Sequence, residues 1–388
     1  MHHDLIGDVK AEVIGWRRYF HKYPELSFQE EKTAQFVYET LQTFGGLDIS
    51  RPTKTSVMAR LIGQEPGKVI AFRADMDALP IVEENDVDFV SRYSGVMHAC
   101  GHDGHTAMLL GAAKILTQLK GQIKGEIRFL FQHAEEEFPG GAQEMVKAGV
   151  LTGVDHVIGI HLDSSFEIGK IGVCHGPATS GADTFDISIQ GKGGHAAAPH
   201  TTVDPIVIGS QVINNIQHIV SRNRDPLERL VVSVTKFHSG SAHNVIPDTA
   251  TLSGSVRSLN PQLRQRIPSL IEKIVKGVTE ANNASFKFDY HFGYHSVVND
   301  DKVRKIIEEV IVDVWDKDTL LNPPALMSSE DFSAYSDRIP SCFIFVGARN
   351  PNKGAIHPHH HPHFNIDEDA LELGVELFVQ SSFSLLEQ

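Results

Sequence analysis

The sequence predicts an α/β protein with a mainly parallel sheet flanked by helices, interrupted by an inserted α+β module of the ferredoxin-like kind. Two observations carry that prediction. Short apolar runs ending in polar residues alternate with helical periodicity over residues 1–181 and again over 294–388, the pattern of strands joined by crossover helices. Between them, residues 182–293 read strand, helix, strand, strand, helix, strand, with period-two alternation in the strands; that is the order of a split β-α-β module with an antiparallel sheet. A chain of 388 residues, 41% hydrophobic, suits two domains with a core each.

Each element has its own signal. Ser27 with Glu30 has the form of a capping box, and periodicity to about Gln42 predicts a helix that Gly45-Gly46 stops. The apolar run 69–72 leads into Arg73-Ala74-Asp75-Met76-Asp77. Residues 106–119, rich in Ala and Leu, predict a helix, and 127–131 a buried strand that delivers Glu135, Glu136 and Glu137. A helix over 141–151 precedes the run 157–160, which delivers His161. In the inserted part, 185–189, 230–234, 249–256 and 286–290 alternate as strands, while 203–220 and 263–278 are helical. A helix at 303–314, a strand at 343–346 and a helix from Asp367 onward return to the first style.

Composition narrows the function. A formal charge of −14, with no face dense in Lys and Arg, repels a phosphate backbone or an anionic membrane, so neither nucleic acid nor membrane is expected as a partner. Three scattered cysteines, Cys100, Cys174 and Cys342, argue against a disulfide framework and for a reducing compartment, the cytoplasm. The opening residues lack the charged and apolar regions of an export signal, and no run of about 18 apolar residues occurs.

The chemistry concentrates at Met97-His98-Ala99-Cys100-Gly101-His102-Asp103-Gly104-His105, which packs a thiol, three imidazoles and a carboxylate into nine residues. Cys100 and His102 are suited to meet one zinc-class ion, and Gly101 and Gly104 let the backbone fold around them. The same pair also reads as a buried cysteine beside capping histidines. Glu135 and Glu136, just past a strand end, offer one carboxylate ligand and one general base, although such a run also serves as a solvated face. His161 fits a ligand or a core histidine. The tract His357-Pro358-His359-His360-His361-Pro362-His363 holds at most one or two ordered ligands, or none if it only binds metal loosely at the surface. Asp77, Glu135/Glu136 and His161 each follow an apolar run, and open α/β sheets gather their sites at that rim. In the module, Gly193-Gly194-His195 occupies a Gly-rich bend.

Several motifs, in order, carry a resemblance. They are His98-Ala99-Cys100-Gly101-His102-Asp103-Gly104-His105-Thr106, Ala134-Glu135-Glu136 with Gly140-Gly141-Ala142, Gly159-Ile160-His161, Gly193-Gly194-His195 with Pro199-His200, Asn244-Val245-Ile246-Pro247 and Ser329-Glu330-Asp331-Phe332, preceded by His21-x-x-Pro24-Glu25-Leu26. The chain resembles, end to end, the aminoacylase, hippurate hydrolase and auxin-conjugate hydrolase branch of the dinuclear metallopeptidase family that also holds glutamate carboxypeptidase and succinyl-diaminopimelate desuccinylase.

The resemblance implies two divalent ions per subunit. Cys100 bridges them, His102 and His161 complete one, and Glu136 and His360 the other. His360 is picked by the setting His360-His361-Pro362-His363-Phe364; the crowded loop leaves His359 and His361 as alternatives. Asp75 stands where carboxypeptidase relatives place a histidine, which favours the amidohydrolase branch. Glu135 is the implied base, taking a proton from the attacking water and passing it to the leaving amine. His195 is implied to steady the oxyanion of a neighbouring subunit in a homodimer built through the inserted lid. Asn244 and Arg257 are expected to hold substrate, and Asp103 to orient His102 from outside the ligand set. The donor set accepts zinc, manganese, cobalt or nickel. The expected activity is hydrolysis of N-acyl amino acids, with a dipeptidase or carboxypeptidase of the same family, or a non-catalytic metal-binding protein, as rivals.

Overall fold

A computed structural model describes residues 3–387. The chain forms two compact units: one comprises the segment up to Ala178, Val297–Pro324 and the chain from Asp331 onward, the other Thr179–Ser296 with Ala325–Glu330.

The larger unit is built on an eight-stranded sheet in the order Asp48–Ser50, Val57–Ile62, Lys124–Gln132, Glu65–Asp75, His156–Glu167, Ser341–Arg349, Ile171–Val173, Leu320–Leu321. Its four central strands, from Lys124–Gln132 to Ser341–Arg349, pair in parallel; antiparallel pairs join Asp48–Ser50, Val57–Ile62 and Lys124–Gln132 on one side and Ile171–Val173 to Ser341–Arg349 on the other, where Leu320–Leu321 adds a parallel edge. The central strands are buried on both faces, which is why they read as continuous apolar runs instead of alternating. Asp75 sits opposite Gln132 in the register, so the chain leaves both strands at the same rim.

Helices His3–Lys22, His102–Gln118 and Asp369–Leu386 pack together beside this sheet. They approach closely because Gly111 faces the contact: a Cβ there would stand 2.7 Å from Val13 and 2.9 Å from Val375. The first of these helices is not among those expected from sequence, although Ile6, Val9, Val13, Arg17 and Phe20 are buried along it at helical spacing, with His21 beside them. A buried arginine within the apolar stripe hides the pattern.

The capping box is a correction. The second helix begins at Glu31, and Ser27 does not cap it; its hydroxyl donates to Asp77 Oδ2 at 2.7 Å. Glu30 accepts from the amides of Phe28 at 3.1 Å and Ala134 at 2.7 Å, so tertiary partners took both side chains from the helix end.

The smaller unit has a four-stranded antiparallel sheet in the order Ser285–Phe292, Gly181–Gln190, Thr249–Ser258, Leu230–Ser239. Helices Pro205–His218 and Pro261–Ala281 cover it. Each starts with an Asx-Pro pair, in which Asp204 or Asn260 accepts from the first-turn amides and proline supplies the preset φ. Phe185, Ile187, Ile189 and Leu252 meet Ile208, Val212, Ile267 and Ile271 in a core of their own. Among the described residues no helix is long and apolar enough to cross a membrane.

Candidate metal centre

The rim of the parallel sheet gathers the candidates. Asp77 lies just past Glu65–Asp75, Glu135 and Glu136 just past Lys124–Gln132, and His161 inside His156–Glu167 opposite Phe345. Cys100 and His102 flank Gly101, the left-handed N-cap (φ 90) of the His102–Gln118 helix. The distant histidine loop is tied to this helix start by the His360 amide, which donates to Ala99 O at 2.8 Å. Ala134 (φ 48) and His360 (φ 64) also adopt the left-handed region, a strain that persists where surrounding contacts impose it. For Ala134 those contacts are Glu30 on its amide, at 2.7 Å, and the Gly141 amide on its carbonyl, at 2.8 Å. Gly141 must stay glycine for that approach, since a Cβ would fall 1.9 Å from His133 O.

Of five donor triangles among the described residues, two share Cys100. The ligand-capable atoms of Cys100, His102 and His161 lie within 4.8 Å of one another, and so do those of Cys100, Glu136 and His360. Cys100 belongs to both. Its Sγ is 3.6 Å from His161 Nε2, and two donors about 2.2 Å from a tetrahedral ion stand about 3.6 Å apart. His360 Nε2 is 3.3 Å from Glu136 Oε1. The other two imidazoles proposed for that position point elsewhere: His359 Nε2 accepts from the Ser164 amide at 3.3 Å, and His361 stacks on His357.

Whether these residues fit a cation can be tested on the polar atoms themselves. The buried Nε2 of His102 meets no hydrogen-bond partner, and it faces Asp75 Oδ2 at 3.7 Å and Glu136 Oε1 at 3.9 Å. A buried nitrogen left unpaired beside two carboxylates is what a metal ligand looks like without its ion. The field agrees. Burial disfavours charge on His102, yet Asp75, Asp77 and Glu136 push its pKa up to about 10. Burial, then Glu136, Glu135 and Asp75, push the Cys100 thiol well up. The carboxylate contributions to both shifts report negative potential that a divalent cation would neutralise.

Orientation comes from outside the triangles. His102 Nδ1 donates to Asp77 O at 2.9 Å and His161 Nδ1 to Leu162 O at 2.8 Å, which leaves each Nε2 lone pair free to face the cluster. Asp77 also accepts from the Glu136 amide at 3.0 Å and so sets two candidate ligands at once. The sequence marks Asp77 as a strand-end carboxylate without assigning it this task. Asp103 does not share it, contrary to expectation. Its Oδ2 accepts from Arg17 Nε and His21 Nδ1, both at 2.8 Å, because the next residue along a helix points about 100° away and here toward the first helix. His105 is held structurally, between Asp75 Oδ1 at 2.6 Å and the Leu162 amide at 2.8 Å.

Glu135 joins neither of the triangles that share Cys100. Its carboxylate lies within 4.8 Å of ligand atoms of His102 and Glu136, and its Oε1 accepts from the Asp331 amide at 3.4 Å. Asp331 is itself fixed by Arg73, Gln132 and the Ala142 amide, which explains the Ser329-Glu330-Asp331-Phe332 motif.

In the smaller unit, His195 and Asn244 share a two-stranded ribbon: His195 pairs with Val245, and the Ala196 amide donates to Asn244 O at 3.0 Å. Both side chains are exposed. Arg257 lies on the Thr249–Ser258 strand, opposite Ala182, and its Nη1 donates to Ser329 Oγ at 2.7 Å.

Known proteins share this architecture. The pattern of peptidase family M20/M25/M40 matches residues 71–382. An N-acyl-L-amino acid amidohydrolase of Geobacillus stearothermophilus is 64% identical over 298 residues, covering 77% of this chain and 80% of the relative. Thermostable carboxypeptidase 1 of Saccharolobus solfataricus is 40% identical, covering 95% of this chain and 94% of its own. The crystal structure of the Bacillus subtilis YXEP protein, described as a dinuclear metal-binding peptidase, superimposes with a TM-score of 0.87 at 34% identity, covering 98% of this chain and 99% of that one.

Proposed function

Because the chain belongs to peptidase family M20/M25/M40, we propose that it is a metal-dependent amidohydrolase that cleaves N-acyl amino acids into a carboxylic acid and a free amino acid. The observation that carries this reading is the pair of donor triangles sharing Cys100, with one carboxylate, Glu135, beside them and in neither. Cys100, His102 and His161 would hold one divalent ion, and Cys100, Glu136 and His360 the other. Bound there, such ions polarise a carbonyl and lower the pKa of water. Glu135 takes the proton from the attacking water and returns it to the leaving amine, while the Asp331 amide keeps its carboxylate aimed. Asp77 holds His102 and the Glu136 backbone in register throughout.

The smaller unit supplies the rest of the proposal. His195, contributed to a neighbouring subunit, steadies the developing oxyanion, an effect of about 3 kcal/mol. Asn244 holds the substrate carbonyl, and Arg257 grips its carboxylate through the planar guanidinium. Exposed Ile206 and Val207 on one helix and Val231 and Phe237 on the edge strand support a homodimer through this unit. Sedimentation equilibrium should give twice the chain mass; a monomer with full turnover would remove the route for His195. The three free thiols suit a reducing compartment and so support a cytoplasmic location as part of this proposal.

The carboxypeptidase relative keeps a second reading alive: the same centre cutting a C-terminal peptide bond. A substrate panel separates them. After removal of metal by chelation and reconstitution with zinc, manganese, cobalt or nickel, N-acetyl amino acids and hippurate should be hydrolysed and the chelated protein should be inactive. Exclusive cleavage of unblocked peptides would hand the function to the second reading.

A further inference from the structure

The run from His357 to His363 holds five imidazoles, and the dinuclear reading uses only His360. His359 packs on Phe364 and accepts from the Ser164 amide. The remaining three gather on the half-exposed side of the loop. The ring centroids of His357 and His361 are 4.5 Å apart, those of His357 and His363 5.4 Å, and those of His361 and His363 5.6 Å. Two tight turns bring them there: the His361 amide donates to Pro358 O at 3.3 Å and the Phe364 amide to His361 O at 2.9 Å. Glu84 completes the group. Its carboxylate stands 3.2 Å from His363 Nε2, and its amide donates to Pro362 O at 3.0 Å, so the acidic segment is tied to the histidine loop by backbone.

We propose that His357, His361 and His363, with Glu84, form a binding site for one further divalent ion of the zinc class, separate from the candidate dinuclear centre. Three imidazoles and a carboxylate are a complete tetrahedral donor set for such an ion. The spacing fits. With an ion about 2.1 Å from each ring nitrogen, and each centroid about 1.1 Å behind that nitrogen, tetrahedral geometry puts centroids about 5 Å apart. The three observed spacings, 4.5 to 5.6 Å, bracket that value. Binding requires rotations only: the stacked pair, 13° apart, must open, and His361 Nδ1 must release the His363 amide it accepts at 3.0 Å. These rings are half-exposed, so both rotations have room. The prolines and turns pre-pay part of the loop's ordering entropy, which favours capture of the ion. An ion there would also pin the loop that carries His360.

The test is a zinc count by equilibrium dialysis on untagged protein, over nanomolar to tens of micromolar free zinc. Wild type is expected to bind one more zinc per chain, at micromolar free concentration, than the H361Q/H363Q variant, with the tighter ions and the amidohydrolase activity unchanged. H357Q, a single change at a half-exposed ring, is expected to weaken that same ion at least tenfold, and it decides the matter if the double variant melts early. Equal zinc counts in wild type and both variants overturn the proposal, as does a wild-type protein that takes up no weaker ion. The readout is a difference between variants, so an error in the dinuclear reading would shift all counts together and leave the difference intact.

Discussion

Glu135→Gln is expected to lower kcat on N-acyl amino acids by about 10³-fold, equivalent to about 4 kcal/mol of transition-state stabilisation, while metal content and thermal midpoint stay at wild-type values. The amide side chain preserves the shape of the carboxylate and can still accept from the Asp331 amide, now at 3.4 Å, so packing is kept. What it cannot do is hold a proton between the water and the leaving amine. Since Glu135 lies in neither of the triangles that share Cys100, its loss is expected to spare the ions held there. The paired measurement is metal stoichiometry by mass spectrometry alongside single-turnover kinetics. Retained turnover would remove Glu135 from the mechanism; loss of metal along with turnover would make it a ligand. A merely metal-binding protein predicts no turnover in either form.

Asp103→Ala is expected to cost about 3 kcal/mol of stability, because it leaves two buried groups short of their acceptor. Arg17 and His21, each 1% exposed, both donate to Asp103 Oδ2. Burial works against ionising Asp103, yet Arg17 and His21 hold its carboxyl well below the usual carboxylate range. The loss stays at the lower end for such pairs because Arg17 keeps Asn365 at 3.0 Å and Glu368 at 3.3 Å, and His21 keeps Glu83 at 2.9 Å. Urea unfolding reads the effect. The variant that does fold should retain wild-type kcat/KM to within about threefold, since Asp103 does not touch His102. Asp77→Ala should behave in the opposite way, weakening metal affinity by about 10- to 100-fold, because it removes the carboxylate that stands 3.3 Å from His102 Nδ1 and accepts from the Glu136 amide at 3.0 Å, even though the backbone carbonyl bond to His102 stays. A loss of metal affinity in Asp103→Ala, with stability intact, would restore Asp103 to the role the sequence suggested.

The contrast between these two aspartates marks where the sequence stopped being legible. Both precede or follow a glycine-rich or apolar segment in the same way, and both sit within a few residues of a candidate ligand. Strand and helix periods are local, so the four central strands of the large sheet, the antiparallel module and most of the long helices could be read along the chain, whereas the outer strands Asp48–Ser50, Val57–Ile62, Ile171–Val173 and Leu320–Leu321 were not among the expected elements. The helix His3–Lys22 escaped because Arg17 breaks its apolar stripe, and that arginine is buried because distant partners receive it, Asp103 86 residues away and, further on, Asn365 and Glu368. Ser27 and Glu30 matched a capping box by spacing, yet Asp77 and Ala134 offered better partners across the fold. The histidine tract shows the same limit: five imidazoles of one type in seven residues divide among a donor triangle, a packed interior position and an outward cluster.

By itself, then, the chain determined which kinds of side chain are available and at which strand ends they emerge, since periodicity and strand-end position depend on neighbours in sequence. Only the tertiary structure decided which lone pair faces which, because a ring's tautomer and aim follow from a hydrogen bond to something distant: Asp77 O for His102, Leu162 O for His161, and the Ala99 carbonyl that brings His360 in from the far end of the chain.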